Sequence, residues 1–192
     1  MTSPEIVPLP RPAWVTADTH FGHANILDYC PWRKTWAQDI DAHDQTIIAA
    51  WNRVVAQDDW VLHLGDVSLS KSVALADYRK RLHGRICLIR GNHDRSGAYM
   101  RRAGFDMVTR YGTITTDQGT WLCVHDPAHA VNALSPDIIG VLHGHCHGSG
   151  HRETWAGHDG QATIDCGVDA LQSVAPCSFD TLLAKHAELP QD

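Results

Sequence analysis

The chain has 192 residues, 43% of them hydrophobic, which is enough for one domain of ordinary size with a real core. Its 16 Lys and Arg against 22 Asp and Glu leave a net charge of −6, so a broadly basic face for long duplex nucleic acid is not expected. No apolar run approaches the roughly 20 residues that a membrane span needs, and the Pro-rich start MTSPEIVPLPRPAW lacks the apolar centre of a signal peptide.

Residues 1–192 read as a single domain, with 1–12 a loose N-terminal segment. Trp14 to Ala17 form a short predicted strand that ends at Asp18. Ile47, Ile48, Trp51, Val54 and Val55 recur at helical spacing, which predicts a helix over 41–55. Trp60 to Leu64 form the next strand, ending at Gly65-Asp66. A helix is predicted over about 70–82, stopping near Gly84. Arg85 to Arg90 form a buried-type strand ending at Gly91-Asn92-His93-Asp94. The second half turns to strands. Residues 112–116 and 120–124 flank Asp117-Gln118-Gly119 as a hairpin, and the second strand ends at His125. Residues 138–142 run into Gly144-His145-Cys146-His147, residues 162–165 form a further strand, and Ser178 caps a last helix reaching about Lys185. This order predicts an α/β fold, with two packed mixed β-sheets flanked by helices.

Five strands in turn thus end in side chains able to bind metal. In open α/β sheets, ligand sites collect at the carboxyl ends of strands. Two divalent ions sharing one carboxylate would use such a set of O and N donors. Asp18 and Asp66 each follow an apolar strand, where an unpaired carboxylate is costly and a cation removes the cost. The six Cys contain no C-x-x-C pair and read as reduced thiols, which points to a cytoplasmic protein.

The blocks Asp18-Thr19-His20, Gly65-Asp66, Gly91-Asn92-His93-Asp94, His125 and Gly144-His145-Cys146-His147 resemble, in order, the five motifs of the calcineurin-like metallophosphoesterases. The stretches Asp18-Thr19-His20-Phe21-Gly22-His23-Ala24-Asn25-Ile26 and Gly167-Val168-Asp169 are similar to a small bacterial and phage branch. The resemblance implies one metal held by Asp18, His20, Asp66 and His147. It implies a second held by Asp66, Asn92, His125 and His145, with Asp66 bridging. His93 would contact the phosphate and protonate the leaving oxygen, and Asp94 would orient the His93 ring. The ions would be Mn, Fe, Zn, Ni or Co. The family often has His-Gly where this chain has His125-Asp126-Pro127, but a residue followed by Pro is usual in the branch. The Asp-Arg pair of the Ser/Thr protein phosphatases is missing after Gly65-Asp66, which argues against that group.

The implied activity is a two-metal phosphoesterase acting on a small phosphate ester or nucleotide, by in-line attack of hydroxide with His93 as general acid. The alternatives are a nuclease or cyclic-nucleotide phosphodiesterase of the same fold, and a non-catalytic interaction scaffold. The scaffold predicts lost ligands or a lost His93, and none is lost. Among the other His, His63 reads as a hydrogen-bonded core residue, His143 as structural, His23 as lining the substrate pocket, and His151 and His158 as exposed. Cys146 should point away from the metals. Trp32, Trp36 and Trp51 read as core anchors.

Overall fold

The computed structural model describes residues 4–132, 135–149 and 162–187; His151 and His158 lie outside the described residues. In chain order the elements are β1 (Val7–Pro8), β2 (Trp14–Thr16), α1 (Ile26–Tyr29), α2 (Ile40–Val54), β3 (Trp60–His63), α3 (Leu75–Arg81), β4 (Arg85–Ile89), α4 (Gly97–Arg102), β5 (Met107–Thr109), β6 (Gly112–Thr116), β7 (Gly119–Cys123), β8 (Ile138–His143), β9 (Ala162–Asp165), α5 (Val168–Leu171), β10 (Cys177–Ser178) and α6 (Phe179–Ala187). Short 3-10 turns span Pro31–Thr35 and Pro127–Asn132.

The strands form two mixed sheets with helices around them. One has the order β10-β2-β3-β4-β5, with β2 to β5 parallel and β10 antiparallel at its edge. The other has the order β1-β6-β7-β8-β9, with β6 and β7 an antiparallel hairpin and β7, β8 and β9 parallel. Side-chain alternation along each strand explains the layering. Leu62 and Leu64 face the second sheet, while Val61 faces the helical side. In β4, Cys87 and Ile89 join the core between the sheets, and Ile86 and Leu88 pack on the helical side with Ile47 and Trp51 of α2. The second sheet contributes Ile114, Trp121, Cys123 and Leu142. Each of these fully buried apolar side chains is worth roughly 1.5–3 kcal/mol relative to exposure. Among the described residues, no helix is long and apolar enough to cross a membrane.

Three elements differ from the sequence expectation. The helix expected from about residue 70 begins at Leu75. Ser68 Oγ accepts the N–H of Ser70, and Ser70 Oγ accepts the N–H of Val73; these side-chain bonds offer the backbone an alternative to helix. The hairpin turn is Asp117-Gln118, and Gly119 opens β7 opposite Thr116. The N-terminal segment expected to be loose is tied down beside β6, with Val7 N–H donating to Tyr111 O and Leu9 N–H to Thr113 O.

Candidate metal centre

The parallel strands β2, β3 and β4 end at one edge, and their pairing continues past the strand ends. Asp18 N–H donates to Gly65 O, and His20 N–H to Asp66 O. The second sheet meets this edge from the other side. His125 Nδ1–H donates to Leu64 O at 2.7 Å, and His145 N–H donates to Asp18 Oδ2 at 2.9 Å. Glycine is required where these backbones close in: a Cβ at Gly91 would collide with Asp66 Oδ1. Gly65 also turns at φ +103° directly under His125.

Donor atoms of Asp18, His20 and His147 lie within 4.8 Å of one another, and so do those of Asp66, His125 and His145. Asp66 stands between the two groups. Its Oδ2 lies 3.9 Å from His20 Nε2 and 3.3 Å from His125 Nε2, while its Oδ1 accepts the N–H of His93. Asn92 Oδ1 joins the second group, 3.0 Å from His125 Nε2. His93 sits at the mouth, its side chain 46% exposed, with Nε2 3.9 Å from Asp66 Oδ2.

These groups fit cations. His125 spends its Nδ1–H on Leu64, which leaves its Nε2, facing two oxygens, Asn92 Oδ1 and Asp66 Oδ2, to carry either a proton or a metal. His147 likewise spends Nδ1–H on Asp169 Oδ2 at 2.7 Å, and its Nε2 faces His20 Nε2 at 3.3 Å. Nitrogens and oxygens that converge in this way need a proton or a metal cation between them. Asp18 is fully buried and its Oδ1 has no hydrogen-bond partner; burial pushes its pKa up to about 7. Without metal, protons take the cation's place. Burial opposes a charge on His125, but Asp66 and Asp18 outweigh it and lift the pKa to about 9. Burial also opposes a charge on His147, but Asp169 and Cys30 outweigh it and lift the pKa to about 10. His20 moves the other way, to about 2, chiefly by burial.

Strain marks the same residues. Asp18, His20, Asp66, His145 and His147 all have φ between 49° and 72°, a left-handed conformation that costs a non-glycine residue roughly 1–2 kcal/mol. Such strain gathers at functional sites, where surrounding structure holds it in place.

The remaining expectations divide. His63 is buried, with Nδ1 accepting from Gly65 N–H and Nε2 bonded to Thr19 Oγ1. Cys146 turns away from both donor groups to lie with His143 and Asp165. His23 packs near His20, with ring centroids 5.7 Å apart, and its buried Nδ1 has no partner. Asp94 requires a correction, because it does not orient the His93 ring. Its two oxygens accept the backbone N–H groups of Asp66, Val67 and Gly91. Those donors point inward from the two loops and take up the carboxylate.

The sequence reading missed Arg33. It is fully buried and uses all five donors of its guanidinium. Nε and NH2 grip Asp169 at 3.0 and 2.7 Å; the remaining bonds reach Asp18 O, Thr19 O and His43 Nε2. His43 then donates to Asp44, which also accepts from Gly22 N–H and Tyr78 OH. One chain of bonds therefore runs from α3 through α2 and Arg33 to Asp169 and His147.

Residues 11–166 match the model of the calcineurin-like phosphoesterases, and the chain belongs to that family. It is 29% identical over 176 residues to an uncharacterized protein of Methanocaldococcus jannaschii, covering 90% of each chain. It is 36% identical over 130 residues to the gene 66 protein of Mycobacterium phage L5, covering 66% of this chain and 60% of the phage protein. Among solved structures, a protein of unknown function from Aquifex aeolicus superposes with a TM-score of 0.68 at 23% identity, over 90% of this chain and 97% of that one.

Proposed function

We propose that the chain is a phosphoesterase that works with two divalent ions. Asp18, His20, Asp66 and His147 would hold one ion, and Asp66, Asn92, His125 and His145 the other. The observation that carries the reading is the convergence of side-chain nitrogens and oxygens on both sides of Asp66, close enough that a proton or a cation must lie between them. When bound, the ions supply charge to neutralise phosphate oxygens and make hydroxide available near neutral pH.

The protein's own part is placement and proton transfer. Asp66 keeps Oδ2 toward both donor groups because its Oδ1 is fixed by the His93 N–H. His125 and His147 are held as Nε2 donors by Leu64 O and Asp169. His93 presents an exposed imidazole beside them and would deliver a proton to the leaving oxygen. His23 would line the same mouth and contact the phosphate or the leaving group. Manganese-loaded protein should hydrolyse p-nitrophenyl phosphate, and Asp66→Asn should abolish turnover and lower metal content with the fold intact. Two ions per chain in the folded variant, measured by elemental analysis, would sink the assignment.

A further inference from the structure

A cleft of about 150 Å³, lined on one side by Asn92 and His125, extends from the second donor group to side chains that the two-ion reading leaves unused. Its walls include Arg90, Arg110, Tyr111 and His129. We propose that this cleft binds a second phosphate group, so that the substrate is a small molecule carrying two phosphates. One phosphate would lie at the ions and the other against Arg90 and Arg110. The inference rests on the two-ion reading and deepens it by naming the substrate class.

The placement of the two arginines is the main argument. Strands β4 and β5 pair in parallel with Ile89 opposite Thr109, and Arg90 N–H donates to Thr109 O. Arg90 and Arg110 therefore leave adjacent strands at one level, on the rim that carries the donor groups. Like charges side by side on neighbouring strands repel, so the arrangement asks for an anion. Among the described residues, neither guanidinium has a carboxylate partner. Arg90 NH1 donates to the carbonyl of Arg95, and Arg110 is exposed. The cleft's own acid, Asp126, lies 3.8 Å from His129 Nδ1 and 4.0 Å from His145 Nε2, on the imidazole side.

Chemistry and size narrow the ligand. A guanidinium fork matches phosphate oxygens in pairs. The cleft is well below the roughly 300–1,000 Å³ that encloses a whole small ligand, so it takes one group of a substrate anchored elsewhere. The net negative charge of the chain and the small volume of the cleft favour a small molecule over a nucleic-acid strand.

The test is binding of adenosine 3′,5′-bisphosphate, adenosine 3′-monophosphate and adenosine 5′-monophosphate to manganese-loaded His93→Ala protein, in which slowed turnover leaves the ligands intact during the measurement. The bisphosphate should bind at least about tenfold tighter than either monophosphate, and Arg110→Gln should remove most of that ratio. Arg110 is exposed, so the variant should fold, which a melting curve checks. Equal affinities, or a ratio untouched by Arg110→Gln, would overturn the proposal. A ten-nucleotide single strand bound more tightly than the bisphosphate, with the same dependence on Arg110, would overturn the small-molecule assignment. Failure of the two-ion reading shows separately, as no manganese uptake and no hydrolysis of p-nitrophenyl phosphate, whatever the ratio.

Discussion

His93 and Asp94 are adjacent in sequence, yet the structure gives them separate tasks. His93 is exposed at the mouth, whereas Asp94 holds two loops together from inside. His93→Ala should keep both ions and lose turnover on the order of 10²–10⁴-fold on poor leaving groups. The loss should shrink on nitrophenyl esters, whose leaving group needs little protonation. An equal loss on both would remove His93 from the acid role. Asp94→Ala should act on stability, because three backbone N–H groups lose their acceptor. A buried donor left unsatisfied costs about 1–3 kcal/mol, so denaturant unfolding should register a loss on the order of 3 kcal/mol. A stable Asp94→Ala protein with an altered response to leaving group would restore its expected partnership with the His93 ring.

At the level of elements, the rim was legible because each predicted strand runs straight into a block of donors. The apolar periods of β2, β3, β4 and β8 announced where the chain would stop, and Asp18, Asp66, Asn92 and His145 followed. The support behind the rim was not legible. Arg33 and Asp169 are 136 residues apart, and a lone arginine in a 3-10 turn reads as surface. His43 and Asp44 are polar positions of α2 that look solvent-facing until Trp36 stacks on His43 and Tyr78 caps Asp44. β1, β5 and β10, of two or three residues each, run into no block of donors that would mark where they end. The hidden support has a measurable value. Arg33→Lys cannot reproduce five forked donors, and breaking a buried pair of this kind costs about 3–5 kcal/mol. Metal affinity should also fall about 10- to 100-fold, since Asp169 orients His147. Chelator competition and a melting curve check both effects, and wild-type values for Arg33→Lys would show the network to be idle.

For the molecule as a whole, the paired histidines set a dependence on pH. Their folded pKa values, about 9 for His125 and about 10 for His147, lie above the ordinary 6.5. Between pH 7 and 9 the folded metal-free chain therefore binds more protons than the unfolded one, so its stability falls as pH rises. Metal requires the same nitrogens unprotonated. Manganese should thus raise the melting temperature more at pH 8.5 than at pH 7; a gain independent of pH would mean that the ions do not displace these protons. The left-handed backbone at the five donor residues has a further consequence. At roughly 1–2 kcal/mol each, their strain is comparable to the 5–15 kcal/mol by which a domain is ordinarily stable. Exchanging His145 for Gly should make the metal-free protein up to about 1 kcal/mol more stable, after allowing for the greater freedom of unfolded glycine. Loss of the chemistry would then relax the scaffold, and copies of the gene freed from selection on activity could decay at the rim while keeping their fold.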